Sequence, residues 1–239
     1  MRAFLLLCSL LTPTADAASC TAASGPTRTR LLELYTSEGC SSCPPADRWL
    51  SHLPRDAGVV TLAFHVDYWD RLGWKDRFAQ AAYSQRQRDR NRNRLSGWVY
   101  TPQFMLDGAD FPRWYRGLPA REPVPAQAHL TLSLDTLPGH LDARTEVRYA
   151  STAAGRNARL YLALTESRLS SSVTAGENAR RTLLHDAVVR TLAGPFDASR
   201  VDHRFILQPD WKAADLGVIA FVTDERGATL QALARPACP

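Results

Sequence analysis

Beyond one short N-terminal stretch, the chain has no long apolar run, no internal repeat and no low-complexity segment, and only 5 cysteines in 239 residues. The one apolar stretch, Phe4 to Leu11, is too short for a transmembrane helix, which takes about 20 such residues. No second Cys-x-x-Cys accompanies Cys40 and Cys43. A structural zinc ion takes four ligands, so the usual paired-cysteine zinc site is excluded. His52 and His65 are the substitutes to weigh, but His52 falls on a helix leading away from the motif. The formal net charge is +5, and much of the excess lies in the run Arg86, Arg88, Arg90, Arg92, Arg94. Alternating arginines spread around a helix instead of forming one stripe. The run reads as a solvated helix end, with an anionic membrane surface as the second reading. No aromatics are interleaved with it for base stacking, so nucleic acid is not an expected partner.

What is present begins with a targeting pattern. Arg2, the apolar core and Ala15-Asp16-Ala17 read as a cleaved signal peptide over residues 1–18. The expected location is secreted or periplasmic, where thiols oxidise. Cleavage removes Cys8 and leaves Cys20, Cys40, Cys43 and Cys238. Domain termini often lie close together, so Cys20 and Cys238 are expected to form a disulfide. Closing so long a loop contributes about 4–5 kcal/mol in the chain-entropy account.

Residues 28–121 read strand, helix, strand, helix, strand, and that alternation predicts an α/β domain. Its second helix is expected over residues 75–95, with Phe78, Ala81, Ala82 and Tyr83 on the apolar side. Pro119, Pro123 and Pro125 mark a linker. Residues 126–236 hold seven segments of strand character, at 127–135, 140–150, 158–166, 183–192, 201–208, 216–224 and 228–234. They predict a mainly antiparallel β-sandwich.

The stretch from Glu33 to Pro45 carries the chemistry. An apolar strand runs into Cys40-Ser41-Ser42-Cys43, and Pro44-Pro45 can open a helix. Three readings stay open. The pair can cycle between dithiol and disulfide, because a helix N-terminus favours the thiolate at Cys40 while Cys43 resolves a mixed disulfide. It can hold Cu(I), with His65 as third ligand. It can also be an inert staple. Thr101-Pro102 precedes the last strand of the α/β part, and this arrangement is similar to the thioredoxin fold. In that fold a cis-proline loop faces the cysteine pair and meets the substrate backbone.

Glu33 to Asp47, with Cys-Ser-Ser-Cys-Pro-Pro at its centre, resembles the signature of a family of exported bacterial thioredoxin-like proteins catalogued as a domain of unknown function. His65-Val66-Asp67-Tyr68-Trp69-Asp70 is similar to that family's second motif, and Arg86-Gln87 with Tyr100-Thr101-Pro102-Gln103 to its third. Gly176-Glu177-Asn178 and Val188-Val189-Arg190 also match, more briefly. The chain departs from the pattern after Arg86-Gln87, where arginines replace an expected aromatic.

The resemblance implies a thioredoxin-like domain with an appended β domain. The resulting expectation is an extracytoplasmic thiol–disulfide oxidoreductase without cofactor, acting on a protein thiol or disulfide. Cys40 attacks, Cys43 resolves, and Thr101-Pro102 positions the partner. Glu33 is a candidate proton shuttle, and His65 and Asp67 are candidates to face the pair. The alternatives are a periplasmic Cu(I)-binding or metallochaperone module using Cys40, Cys43 and His65, and a non-catalytic envelope-binding protein. His185, Asp186 and His203 read as isolated.

Overall fold

The computed structural model describes residues 18–54, 57–92, 98–120 and 122–238. The expected signal peptide lies outside the described residues except for Ala18, and so does Arg94. In chain order the strands are β1 (Ala18–Ala23), β2 (Arg30–Thr36), β3 (Val59–His65), β4 (Gln103–Leu106), β5 (Ala109–Asp110), β6 (Ala128–Leu137) and β7 (His140–Tyr149). They continue with β8 (Arg159–Glu166), β9 (Leu169–Val173), β10 (Arg181–His185), β11 (Val188–Phe196), β12 (Arg200–Ile206), β13 (Leu216–Thr223) and β14 (Thr229–Pro236). Helix α1 is Pro44–Ser51 and α2 is Ala81–Asn91.

This is a β-rich fold, and it corrects the expected α/β thioredoxin-like domain followed by a β-sandwich. One sheet of eight strands, ordered β14-β13-β8-β11-β3-β2-β4-β5, takes four strands from each half of the chain. The join is parallel pairing at Val188↔Ala63, reinforced by the Ala63 N–H donating to the Ala187 carbonyl at 2.8 Å. Without β11, β3 would present an open edge of unpaired backbone groups. Conversely β1, from the N-terminal end, pairs with β6 in a second sheet ordered β1-β6-β7-β12. Leu130, Leu132 and Leu134 of this sheet pack against Leu160, Leu162, Leu164 and Val218, Ala220, Val222 of the large one. The Cys20–Cys238 disulfide joins β1 to the segment after β14, and so staples the two sheets together.

Strand β2 is buried on both faces, and its pleat sorts its residues. Leu32 and Leu34 pack with Ala46 and Leu50 of α1. Leu31 and Tyr35 pack on the opposite face with Phe64 and Tyr83. Glu33 shares that second face and is 0% exposed. Its Oε1 accepts from Arg86 and its Oε2 from Arg90 Nη2 at 3.2 Å. The Arg86 guanidinium also lies over the rings of Phe64, Tyr161 and Phe221. Burial pushes the Glu33 carboxyl up, but the two guanidiniums outweigh it and hold it below its ordinary value. Arg86 and Arg90 are thus interior partners, and only Arg88 and Arg92 of the described run face solvent.

Two further expectations are corrected. Helix α2 starts at Ala81, not 75, because Asp76 bonds backbone N–H groups of Glu38 and Phe78 and keeps the preceding loop irregular. Ala81 and Ala82 are exposed, and the helix docks through Tyr83, Ser84, Gln87 and Asn91, a mostly polar face held by hydrogen bonds. The expected strand 183–192 is two, β10 and β11, broken where Ala187 takes φ 53°.

Glu33→Gln removes the charge that both arginines face. Breaking a buried pair on one side is costly, so urea unfolding should show a loss of about 3 kcal/mol. Replacing Cys20 and Cys238 together by serine should cost about 2–4 kcal/mol in the same assay.

Candidate active site

The register brings the sequence motifs to one end of the large sheet. Thr36 at the end of β2 pairs with His65 at the end of β3, and Tyr35 pairs with Gln103 at the start of β4. The cysteine loop, the segment after His65 and the Thr101-Pro102 turn therefore leave the sheet side by side. Trp69 ties them together. Its Cβ sits 3.1 Å from where a side chain on Gly39 would begin, and its Nε1 donates to Thr101 Oγ1 at 2.8 Å. The Thr101–Pro102 bond is cis. A buried amide network steadies this turn: Gln87 Nε2 donates to the Tyr100 carbonyl and to Gln103 Oε1, and Asn91 Nδ2 also reaches Gln103 Oε1.

Cys40 and Cys43 are joined by a disulfide, and both residues are 0% exposed. Cys43 is the N-cap of α1, whose first two residues are prolines without an N–H. The Ala46 and Asp47 N–H groups both return to the Cys43 carbonyl. The first turn thus spends its own donors, so the direct hydrogen bonds expected from it at Cys40 are not offered. What remains for a thiolate is the aligned peptide dipole and the Ser42 hydroxyl, 3.4 Å from the Cys40 sulfur.

Five titratable side chains lie buried behind the pair, on the α1 face of the sheet: Glu38, Asp47, His65, Asp76 and His185. His65 Nδ1 is 2.6 Å from Asp76 Oδ2. His185 Nε2 lies 3.2 Å from Glu38 Oε1, and Trp74 Nε1 donates to Glu38 Oε2 at 2.7 Å. Asp47, His65 and His185 line one small void with Leu34, Leu50, Ala63 and Asp186. Among the described residues, His65 Nε2 has no hydrogen-bond partner.

Environment splits the charges. Burial alone would lower His65, yet Asp76 beside it, with Asp47 and Glu38 nearby, raises it above its ordinary 6.5. Burial pushes Asp76 up, but His65 and the two backbone donors hold it below its ordinary range. Burial likewise opposes Glu38, where His185 and Ser171 beside it and the bond from Trp74 outweigh it and lower it. For Asp47 burial prevails and raises it.

The other expected site residues fall elsewhere. Glu33 sits on the sheet face away from α1, committed to Arg86 and Arg90. Asp67 accepts from Ser84 Oγ, and its own N–H donates back to that hydroxyl, so it ties the loop to α2. Among the described residues no group of three or more His, Cys, Asp or Glu is placed to hold a metal ion, and Cys40 and Cys43 are bonded to each other. Sequence reasoning missed Asp76, Glu38, Asp47 and the contribution of His185. It also left the Gly176-Glu177-Asn178 match without a role. Asn178 Nδ2 donates to the carbonyls of Glu38 and Cys40, both at 2.9 Å, and Glu177 Oε2 accepts from the Ser41 N–H at 3.1 Å.

A family described as a protein of unknown function, DUF1223, matches residues 31–223. No curated protein matches the chain. An X-ray crystal structure of protein AGR_C_4864 from Agrobacterium tumefaciens is similar in fold, with 23% identity, TM-score 0.57, and coverage of 88% of this chain and 95% of that one. HBP35 of Porphyromonas gingivalis is similar at 15% identity and TM-score 0.62, over 89% of this chain and 76% of that one.

The His65–Asp76 pair sets a pH dependence for the oxidised protein. A raised folded pKa contributes stability that is full below the unfolded value of about 6.5 and lost as pH rises through the folded value. A lowered Asp76 contributes stability that is present above its ordinary 3.8 and lost as pH falls through the folded value. Urea unfolding between pH 5 and 9 should show stability falling above pH 6.5. In Asp76→Asn that fall should vanish, and a slope equal to wild type would refute the pair's role.

Proposed function

We propose that this chain, which belongs to the DUF1223 family, is an extracytoplasmic thiol–disulfide oxidoreductase working through Cys40 and Cys43. The observation that carries this reading is the placement of the Cys40–Cys43 bond. It closes at the first turn of a helix, in a loop that Trp69 links to the Thr101-Pro102 turn, and near a buried set of titratable side chains. An inert staple gains nothing from such surroundings, whereas a redox couple needs a proton for the thiol it releases.

In the oxidising direction a partner thiolate attacks the Cys40 sulfur. The Cys40–Cys43 bond breaks and its electron pair leaves on Cys43, which takes up a proton. A second partner thiolate then attacks the partner sulfur of the mixed disulfide. The partner leaves oxidised and Cys40 leaves as thiolate. The reducing direction runs the same steps backwards. Asp47 stands one helical turn from Cys43 and is held toward its protonated form by burial, which suits it to supply that proton. The exported location belongs to the same reading. It is supported by the N-terminal targeting pattern and by two disulfides, which persist outside reducing compartments.

The test is equilibration of the mature protein against dithiothreitol redox buffers. The Cys40–Cys43 couple should lie in the range of catalytic couples, about −270 to −120 mV. A potential below about −300 mV would make the pair a structural disulfide and end this reading. In the reduced protein Cys40 should ionise below the free-cysteine value of about 8.5, and Ser42→Ala should move it upward. Ultraviolet thiolate absorbance measures both.

A further inference from the structure

A redox pair with no exposed surface raises the question of what reaches it. One hairpin is bonded directly to the cysteine loop. Strands β9 and β10 form a two-stranded sheet of their own, outside both larger sheets. The stem of this hairpin is anchored: His185 meets Glu38, Arg77 Nη2 donates to the Ser170 carbonyl, and β10 packs beside α1. Its tip, residues 174–180, lies across the cysteine loop. There Asn178, 0% exposed, occupies the carbonyls of Glu38 and Cys40, while Glu177 occupies the Ser41 N–H. Arg181 Nη1 donates to Asn178 Oδ1 at 3.1 Å and orients the amide. Gly176, at φ +71°, approaches Trp74 so closely that a Cβ would lie 3.1 Å from the Trp74 Cβ.

We propose that the 174–180 tip makes the cysteine pair selective for extended polypeptide thiols or disulfides, with Asn178 and Glu177 as the specificity-determining residues. The inference rests on the oxidoreductase reading and names its substrate class. The three groups the tip covers are two carbonyls and one N–H of the backbone. Displacing the tip takes the side-chain partner from all three: the Cys40 carbonyl keeps only the Cys43 N–H at 3.2 Å, and the Glu38 carbonyl and the Ser41 N–H lose the partners they have here, a loss that whatever replaces the tip must make good. An extended peptide carries the matching N–H and C=O groups and can take over these bonds while it delivers its sulfur. A small thiol has no backbone of that length. It reacts only during unassisted openings of the tip.

The test compares two monothiols at equal thiolate concentration on the oxidised mature protein: glutathione and an unstructured ten-residue peptide with one central cysteine. Each thiolate attacks the Cys40 sulfur, the Cys40–Cys43 bond breaks, and Cys43 is freed. Acid quench, alkylation and mass spectrometry count the mixed disulfide and the freed Cys43 thiol. The wild-type protein should react at least about tenfold faster with the peptide, the order expected for hydrogen bonds exchanged and not lost. In Asn178→Ala the glutathione rate should rise about tenfold, and the ratio should fall to within about threefold. Glu177→Ala should shift both in the same direction by less.

The Cys20–Cys238 bond is an internal control, since its reduction rate should not change in either variant. Equal rates for both thiols in the wild-type protein would overturn the proposal. So would an unchanged ratio in Asn178→Ala, or a parallel rise in Cys20–Cys238 reduction, which would mark general unfolding. Should Asn178→Ala fail to fold, Glu177→Ala and the wild-type ratio decide alone. A failed ratio leaves the oxidoreductase reading to the measured potential, and a potential below the catalytic range removes that reading whatever the ratio.

Discussion

From Leu31 to Thr36, β2 is buried on both faces and places no side chain in water, and it obliges the rest of the molecule to answer each of those residues. Its neighbours β3 and β4 pair its backbone, α1 covers the face of Leu32 and Leu34, and α2 covers the face of Leu31 and Tyr35. The one acidic residue on it, Glu33, sits where hydration is denied. An ionised carboxylate there demands cations, and α2 supplies two at a spacing of four residues, Arg86 and Arg90. The helix is thereby fixed in rotation as well as position. That rotation turns Gln87 and Asn91 toward Gln103, and through them holds the backbone of the Thr101-Pro102 turn. A single buried carboxylate on the far face of the sheet thus helps set the geometry beside the cysteines without touching them.

The two faces of β2 also divide labour. The α2 face is an aromatic and cationic packing layer around a static ion pair. The α1 face ends, at the same edge of the sheet, in titratable groups whose partners pull them apart: Asp76 and Glu38 toward the charged form, Asp47 toward the neutral one. Carboxyl groups in one buried cluster with opposite tendencies are a usual feature of sites that move protons.

Local chemistry was legible in the residues themselves. A strand leading into Cys-Ser-Ser-Cys-Pro-Pro announces a cysteine pair at a helix start, and Thr101-Pro102 announces a turn entering a strand; both lie where those patterns place them. Long-range pairing was not legible. Nothing in the apolar pattern of Val188-Val189 says that β11 will seal the edge of β3, so two domains were expected where one sheet runs through both halves. The arginine run misled for a similar reason. Periodicity distributes Arg86 and Arg90 around a helix but carries no information about a buried carboxylate 53 and 57 residues away. Asp76 looked like a helix residue because its role, bonding the N–H groups of Glu38 and Phe78, depends on a fold not yet formed. His185 looked isolated because its neighbours His65 and Glu38 lie far off in sequence.

The electrostatics at Cys40 then follow from what has been used up. In a helix N-terminus with free donors, N–H groups pointing at a sulfur would dominate its ionisation. Here Pro44 and Pro45 have none to offer, and the next two point back to the Cys43 carbonyl. Glu38, two residues before Cys40, and Glu177, on the Ser41 N–H at 3.1 Å, are carboxylates whose charge opposes a second anion. Yet Glu38 accepts from Trp74 and lies beside His185, and Asp76 is paired with His65, so both carboxylates have partners of their own. The α1 peptide dipoles add a field that falls off within the first turn, where the cysteines sit. Among the described residues, Ser42 adds the one side-chain hydrogen bond on the Cys40 sulfur. A thiolate held by a dipole and a single hydroxyl, in a site closed to water, depends steeply on what is placed against it next. The chemistry of this pair is accordingly set as much by the group that displaces the 174–180 tip as by the residues between the two cysteines.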